Sequence, residues 1–259
     1  METVIVTGHT GWIGKYAVEI LRGKGYRVHL PLGDLLDGIP SLPVATHFLH
    51  LSWNVKPGYW DNPENIDWFT ASVKLINEFY EDGGKRIVLA GTNVDIGGTL
   101  YGRCKGALKT VLDAYRVTGL STATGRIFYL YGPGEDPNRL ISSIIISLLK
   151  GQEVVINHPS QMIDFLHVHD VASALCSILD SDVEGSVDIG SGNVTTTLRI
   201  AQIIGEIIGR PELIKSANIP SVERIICDTH RLKNEVGWKR KYNLDDGLED
   251  TIEWWRGNL

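Results

Sequence analysis

Two residues of this chain are spaced for acid–base chemistry, Tyr101 and Lys105. Residues four apart on a helix project from the same face, about one turn apart. An ammonium beside a phenol favours the phenolate, which lowers the tyrosine pKa from about 10 towards neutrality. Such a tyrosine can exchange a proton with a carbonyl or an alcohol while hydride moves to or from a nicotinamide. An isolated Tyr-x-x-x-Lys pair can also belong to a solvated helix face. The residues around it therefore determine whether the pair indicates catalysis.

A threonine hydroxyl stands where it could assist this tyrosine. Thr92 follows the apolar run Ile87–Ala90, which predicts a strand. The carboxyl edge of a doubly wound sheet is where its cofactors lie. There the hydroxyl could hydrogen-bond the same carbonyl oxygen as Tyr101. The alternative interpretation is a threonine that caps a turn at the end of a strand.

The N-terminal residues predict a dinucleotide-binding element. A β-branched run, Val4–Thr7, is followed by Gly8, Gly11 and Gly14, and an amphipathic helix is predicted to begin at Trp12. The spacing is G-x-x-G-x-x-G rather than the commoner G-x-G-x-x-G. Glycines allow the backbone to turn tightly and to approach a pyrophosphate, whose charge is stabilised at a helix N-terminus.

Strand-like and helix-like runs alternate along the first half, which predicts an α/β fold with a doubly wound, Rossmann-like parallel sheet. Residues 1–132 are the predicted dinucleotide-binding domain. Residues 133–259 are predicted to form mainly a smaller C-terminal substrate lobe, with 163–190 returning to the sheet. The predicted strands are Val4–Thr7, Val28–Leu32, His47–Leu51, Arg86–Gly91, Ser121–Leu130, Glu153–Asn157, Ile163–Val168 and Ser186–Ile189. The predicted helices are Trp12–Arg22, Asn65–Glu81, Tyr101–Thr118, Asn138–Lys150, Val171–Leu179, Leu198–Ile208 and a final one that ends at Trp254-Trp255.

Composition excludes several classes of function. The 259 residues carry a net charge of -6, so no basic field favours nucleic acid. The longest apolar stretch, Leu140–Leu149, is too short to cross a bilayer, and no signal peptide is expected. Three widely spaced cysteines argue against a disulfide framework and favour a cytoplasmic protein.

His167 and Asp170 would point to opposite faces of a strand, and no third ligand is evident, so no metal is predicted.

The chain resembles the extended short-chain dehydrogenase/reductase family, a group of nucleotide-sugar epimerases, dehydratases and reductases. The resemblance covers nearly the whole chain, and the similar segments follow the family's order. These segments are Thr7-Gly8-x-x-Gly11-x-x-Gly14, Asp34-Leu35-Leu36-Asp37, His50-Leu51-Ser52, Gly91-Thr92, Tyr101 with Lys105, Tyr131-Gly132-Pro133-Gly134, Asp164–Ala172, Asp188-Ile189-Gly190 and Glu235-Val236-Gly237-Trp238.

The resemblance implies a role for each matching residue. The three glycines would carry the pyrophosphate, and Asp37 with Leu36 would lie near the adenine. Lys105 would also hydrogen-bond the nicotinamide ribose. The implied catalytic residues are Thr92, Tyr101 and Lys105, and the implied cofactor-binding residues are Gly8, Gly11, Trp12, Ile13, Asp34, Leu36, Leu51 and Lys105. His9, inside the glycine loop, could contact the cofactor phosphates, but a solvent-facing side chain is the preferred prediction. Trp53, Tyr59, Trp60 and Trp68 could form a stacking wall, a core contact or a dimer contact.

Departures from the family leave the cofactor open between NAD and NADP. The predicted second strand leads almost directly into Asp34, and no arginine follows it to pair a 2′-phosphate. A similarly compact segment is typical of 4-keto-sugar reductases, which slightly favours NADP if the protein is a reductase. The loop between Thr92 and Tyr101 is also short, which predicts an open or differently built substrate site.

Other departures concern the substrate. Ile163 stands where the family has arginine, and Tyr129 where it has asparagine. The candidate substrate-binding residues are therefore Tyr129, Arg139 and Arg224. The geometry of a guanidinium group matches that of a phosphate. An arginine that is only a surface residue is at least as common as one that binds a ligand. Trp68 lies near a position at which members of the family frequently have asparagine.

The predicted function is an NAD(P)-dependent oxidoreductase that acts on a nucleotide-linked sugar as a 4-ketoreductase. The alternatives are a nucleotide-sugar 4-epimerase or 4,6-dehydratase, a reductase of another small carbonyl compound, and a non-catalytic dinucleotide-binding protein. By resemblance to the family, a homodimer is expected through the helices predicted at 65–80 and 101–118.

Overall fold

The computed structural model describes residues 2–38, 42–217, 219 and 224–259. The strands in this part of the chain are β1 Thr3–Thr7, β2 Arg27–His29, β3 His47–His50, β4 Arg86–Thr92, β5 Ser121–Ile127, β6 Tyr129–Tyr131, β7 Val154–Ile156, β8 Met162–Ile163, β9 Phe165–His167, β10 Gly185–Ile189, β11 Thr195–Thr196, β12 Ile214–Ser216 and β13 Arg224–Ile225. The α-helices are α1 Trp12–Gly23, α2 Glu64–Glu81, α3 Leu100–Tyr115, α4 Leu140–Leu149, α5 Val168–Asp180, α6 Thr197–Ile208, α7 His230–Asn234 and α8 Leu244–Arg256. Short 3₁₀ helices cover Tyr59–Asp61, Arg116–Thr118 and Pro211–Leu213.

The main sheet has the strand order β10-β5-β4-β3-β1-β2, and every pairing in it is parallel. The chain passes from β1 outwards to β2 and then returns to β3 on the other side of β1. The switch point of the sheet therefore lies between β1 and β3, where ligands of doubly wound sheets bind. No strand is present between β2 and β3 among described residues 30–38 and 42–46.

β2 is shorter than predicted, because the backbone leaves the sheet after His29. Pro31 has no N–H to donate to a ladder, and Gly33 has a φ of 95°, which ends an extended segment. The predicted strand at 121–130 is divided between β5 and β6, which belong to different sheets.

The chain forms two compact units. The first comprises residues 1–127, 172–189 and 230–238, and the second comprises 128–171, 190–229 and 239–259. The predicted boundary at 132 therefore differs from the observed one at Ile127. Residues 172–189, rather than 163–190, return to the first unit, where β10 joins the sheet. Sequence analysis did not predict that 230–238 also join the first unit. There Arg231 donates to the carbonyl oxygens of Ser186 (2.5 Å) and Glu184 (3.0 Å).

The core of the first unit lies between the sheet and helices α2 and α3. Its fully buried side chains include Phe48, Leu75, Ile87 and Leu108. His50 joins three elements, because its ring nitrogens lie 2.6 Å from Thr7 Oγ1 on β1 and 2.8 Å from Ser72 Oγ on α2.

The second unit packs α4, α6 and α8 around its own apolar core. Asp164 stands between β8 and β9 and accepts the backbone N–H groups of Ser191 (2.8 Å), Gly192 (2.8 Å) and Cys227 (3.2 Å). The expectation of an unbroken strand at 163–168 is therefore wrong, because Asp164 interrupts it to collect these donors.

α5 begins at Val168, three residues earlier than predicted. His167 thus ends a strand and Asp170 lies in the first turn of a helix, so strand alternation does not relate the two side chains. The described residues contain no cluster that could hold a metal ion. Within the same part of the chain, no helix is both long and apolar enough to span a membrane. The three cysteines are free thiols and all are buried.

Candidate active site

A cavity of about 400 Å³ lies at the switch point of the main sheet. It is formed by the loops that follow β1, β2 and β3, together with one residue of α2. The lining residues are Thr7, Gly8, His9, Thr10, Gly11, Pro31, Leu32, Gly33, Asp34, Leu35, Leu51, Ser52, Trp53 and Trp68. Its volume is within the range of small-molecule and cofactor sites.

The glycine loop fits against the loop after β3 with no room for a side chain. Gly8 has a φ of 69°, and a Cβ on it would lie 2.8 Å from both Leu51 C and Ser52 N. A Cβ on Gly14 would lie 2.1 Å from the Gly8 carbonyl oxygen. Gly14 therefore brings α1 against the loop, whereas Gly8 and Gly11 line the cavity. Sequence analysis assigned all three glycines to the pyrophosphate.

The segment after β2 forms the opposite wall of the cavity. Asp34 begins a turn in which its Oδ1 accepts the Leu36 N–H (3.0 Å) and its carbonyl accepts the Asp37 N–H (3.1 Å). Leu35 lines the cavity, while Leu36, the residue predicted to do so, packs against the core. Among the described lining residues none is lysine or arginine, and Asp34 is a carboxylate.

Lys105 is buried beside this cavity. It is 4% exposed, its Nζ donates to the Ala90 carbonyl on β4 (2.9 Å), and Nζ lies 4.1 Å from the centroid of the Trp53 ring. Burial lowers the pKa of Lys105 to about 7, because removal from water disfavours the charged form. Burial, followed by the charge of Lys105, also lowers the pKa of His50 to about 3, so His50 is neutral near pH 7.

Tyr101 also contacts the cavity wall through Trp53. The two ring centroids are 6.3 Å apart at an angle of 77°, an edge-on arrangement. Tyr59 and Trp60 approach Tyr101 edge-on as well, at 4.8 Å and 5.7 Å. The phenol and the ammonium of the Tyr-x-x-x-Lys pair thus share one neighbour, Trp53, which itself lines the cavity.

Thr92 ends β4, the strand whose Ala90 accepts from Lys105. Its Oγ1 accepts the Val94 N–H (3.4 Å) as the short loop 93–99 begins. This loop packs closely on α3, because a Cβ on Gly102 would lie 2.3 Å from Val94 O and one on Gly106 would lie 2.2 Å from Asp95 O. The two glycines let α3 approach the end of β4, which places Thr92 and Tyr101 on neighbouring elements.

The structure brings together only part of the predicted set. Gly8, Gly11, Asp34 and Leu51 line the cavity, and Trp12 and Ile13 begin α1 but do not line it. The candidate substrate residues lie in the second unit: Tyr129 on β6 with its ring 5.7 Å from Phe165, exposed Arg139 as the N-cap of α4, and exposed Arg224 on β13.

Several lining residues were not assigned to the cofactor from the sequence. Trp53 and Trp68 carry no motif, and only their place after a buried strand and on the following helix could have suggested a role. His9, for which the sequence left open a contact with the cofactor phosphates or a solvent-facing side chain, lines the cavity, and its Nδ1 is buried with no hydrogen-bond partner.

Residues 74–190 match the model of the NAD dependent epimerase/dehydratase family. GDP-L-fucose synthase 1 of Arabidopsis thaliana is 25% identical over an alignment of 305 residues, which covers 99% of this chain and 94% of the relative. UDP-glucuronic acid decarboxylase 6 of the same plant is 29% identical over 154 residues, 57% of this chain. The chain matches 45% of the length of that decarboxylase, about half of the relative.

Solved structures share the fold over the whole chain. A UDP-N-acetylglucosamine 4-epimerase from Methanobrevibacter ruminantium M1 has a TM-score of 0.88 at 19% identity and covers 100% of this chain and 99% of its own. The RMD protein of Pseudomonas aeruginosa, solved with NADPH, has a TM-score of 0.87 at 17% identity with full coverage of both chains. The predicted Rossmann-like fold is therefore confirmed. The family model that matches residues 74–190 is that of the family which the sequence resembles.

Proposed function

We propose that the chain is an enzyme of the NAD dependent epimerase/dehydratase family, whose model matches residues 74–190, and that it acts as a 4-ketoreductase of a nucleotide-linked sugar. One observation carries the proposal. Trp53 contacts both Tyr101 and Lys105 and also lines the glycine-bounded cavity, so the acid–base pair lies beside this cavity, behind one of its wall residues. A binding protein without catalysis has no need for this arrangement.

The residues of the cavity fit a nicotinamide dinucleotide. Gly8 and Gly11 give close backbone access, and α1 directs its N-terminus there. Leu35 and Leu51 offer apolar surface to the bases. A bound dinucleotide would supply the hydride that this chemistry requires.

Residues of the chain itself supply the proton and orient the substrate carbonyl. When the substrate carbonyl is reduced, its oxygen gains a proton from the Tyr101 hydroxyl, which leaves a phenolate. The Lys105 ammonium stabilises that phenolate while one of its three N–H donors is held by Ala90. Thr92 donates to the same substrate oxygen and orients it.

The wall around Asp34 supports NAD(H) over NADP(H). A carboxylate repels a 2′-phosphate but can accept a hydrogen bond from a 2′-hydroxyl. No lysine or arginine among the described lining residues offsets that repulsion. The expectation from the sequence had slightly favoured NADP for a reductase, and the residues that line the cavity favour NAD.

Similarity to GDP-L-fucose synthase 1 along almost the entire chain supports the reductase assignment. The direct path from β2 to β3 is the compact segment that sequence analysis associated with 4-ketoreductases. A 4-epimerase would use the same three residues, but it would keep its dinucleotide bound and return the hydride to the other face of the sugar.

The test is to purify the protein, release any bound nucleotide for mass spectrometry, and assay UDP-, dTDP- and GDP-linked 4-keto sugars with NADH and with NADPH. We expect consumption of one NADH for each keto sugar, with NADPH at least about tenfold less effective. Tightly held NAD with interconversion of 4-epimers and no net use of NADH would replace the reductase by an epimerase. Failure to bind any nucleotide sugar would overturn the substrate class.

A further inference from the structure

Two aromatic rings are stacked beside Tyr101 in the 3₁₀ helix Tyr59–Asp61. The rings of Tyr59 and Trp60 have centroids 4.5 Å apart at an angle of 27°. Trp60 is 41% exposed, which is unusual for so large an apolar side chain next to a buried catalytic candidate.

The position of Tyr101 relative to this stack follows from three distances. Its centroid lies 4.8 Å from Tyr59 and 5.7 Å from Trp60, nearly perpendicular to both. The two stacked centroids are 4.5 Å apart, so the three centroids form a triangle and do not lie in one line. Tyr101 therefore lies beside the pair and meets the edges of both rings, so it does not cover the face of Trp60 that points away from Tyr59.

The stacked pair is held from two sides. Asn65 is almost fully buried, and its Nδ2 donates to the carbonyl oxygens of Tyr59 (2.7 Å) and Asn62 (2.8 Å). Asp61 accepts the Leu100 N–H at the start of α3 (2.9 Å). The helix that carries Tyr101 and the segment that carries Trp60 are thereby fixed to one another, so the aromatic face is organised before any ligand binds.

We propose that the outer face of Trp60, backed by Tyr59, is the platform on which the pyranose ring of the substrate stacks while its carbonyl meets Tyr101. This inference rests on the proposed function and adds a sugar subsite to it. One face of a pyranose presents C–H groups with slight positive charge, which match the negative face of an indole. The short 93–99 loop leaves the wall of the sugar pocket to be built from another segment, and the Tyr59–Asp61 segment borders Tyr101.

The experiment separates the sugar from the nucleotide by titration calorimetry in the presence of dinucleotide. The measurement uses three pairs: UDP and UDP-glucose, dTDP and dTDP-glucose, and GDP and GDP-mannose. For each pair, the Kd of the free nucleotide is divided by the Kd of the nucleotide sugar, and this ratio reports the contribution of the sugar to binding. For the preferred pair we expect Trp60→Ala to lower this ratio about fivefold to tenfold and to leave the Kd of the free nucleotide unchanged. Trp60→Phe, which keeps a ring, should retain most of the ratio.

Val55→Ala is the matched control, because Val55 is an apolar residue of the same loop with 47% exposure. It should leave the ratio unchanged. A second measurement needs no variant: saturation of the aromatic protons of the wild type should transfer to the sugar C–H protons. Equal ratios in wild type and Trp60→Ala, or no transfer to the sugar, would overturn the platform and leave the proposed function standing. A wild type that binds none of the three sugar nucleotides would overturn both.

Discussion

At the scale of single residues, we expect the charge of Lys105 to control how the proposed site responds to pH. Its ammonium is buried, which lowers its pKa to about 7, and the face of Trp53 opposes that lowering by attracting the cation. The titratable neighbours are His50, which is neutral in this range, and Tyr101. The help that Lys105 gives to a Tyr101 phenolate is therefore present below pH 7 and lost as the pH rises through about 7.

Replacement of Trp53 by leucine should move this loss to lower pH. Without the ring, the pKa of Lys105 falls further, by roughly half a unit to one unit for a cation–π contact of this kind. The measurement is the pH dependence of kcat for Trp53→Leu, whose alkaline limb should shift to lower pH by that amount.

Trp53→Phe is the control for this prediction. Both variants lose the hydrogen bond that Trp53 Nε1 donates to Asn65 Oδ1 (2.8 Å), but only phenylalanine keeps an aromatic face. The phenylalanine variant should retain most of the wild-type pH profile. Identical profiles for leucine and phenylalanine would show that the ring does not act on the lysine.

At the scale of elements, the site depends on how closely the loop after β1 meets the loop after β3. Gly8 combines a positive φ with a contact that leaves no space for a Cβ. Gly25, in the turn after α1, also has a positive φ (87°), but a Cβ there would meet no atom within 4 Å. A comparison of the two glycines therefore distinguishes the cost of backbone strain, which both share, from the cost of a steric clash, which only Gly8 would have.

Gly8→Ala should therefore be more damaging than Gly25→Ala. Strain alone costs on the order of 1–2 kcal/mol at either position, and the clash adds about 1–3 kcal/mol at Gly8. Urea denaturation should show this difference, and dinucleotide affinity should fall only in Gly8→Ala. Similar losses of stability and affinity in the two variants would contradict the close-approach role of Gly8.

At the scale of the whole molecule, stability carries a pH dependence that originates in the second unit. Glu135 is buried, and burial raises its pKa to about 7, although the Ser142 hydroxyl donates to Oε2 (2.7 Å) and partly offsets this effect. Its pKa in the unfolded chain is about 4.3. A raised pKa means that the folded state binds the proton more tightly, so the contribution to stability is complete below about pH 4 and is lost as the pH rises through 7.

Glu135→Gln should remove this loss, because an amide is neutral at every pH and can still accept from Ser142. Relative to wild type, the variant should gain about 2 kcal/mol of unfolding free energy between pH 5 and pH 8. Denaturant titrations at both pH values measure it, with the exposed Glu153→Gln as control. A constant difference between wild type and Glu135→Gln across this range would contradict the assignment.

A homodimer through α2 and α3 remains the expected assembly. On α2, Ile66 is 49% exposed, and Phe69 and Val73 on the same side are partly buried and pack against the core, so the apolar face of the helix reaches its exposed side at Ile66. Ile66→Asp should weaken association at least about tenfold in sedimentation experiments, because it buries a charge in the interface. Val155→Asp, an exposed position in the second unit, should leave it unchanged, and a monomeric wild type would contradict the expectation.

Local patterns predicted much of this molecule. The glycine loop, the β-branched runs and the Tyr-x-x-x-Lys spacing are signals carried by neighbouring residues, and they gave the Rossmann-like sheet and the candidates Tyr101 and Lys105. Contacts between distant residues were not predictable. Trp53 meets Lys105 across 52 positions of sequence, and Asp164 breaks a predicted strand to bind backbone groups of three residues from two later segments. The return of 230–238 to the first unit is likewise tertiary and has no local signature.

The central claim is that the Tyr101 hydroxyl exchanges the proton while hydride is transferred. Tyr101→Phe removes that hydroxyl and keeps the ring that packs against Trp53, Tyr59 and Trp60. Single-turnover hydride transfer should fall by about 10²- to 10⁴-fold in this variant, with dinucleotide affinity unchanged. Hydride transfer at the wild-type rate in Tyr101→Phe would contradict the account.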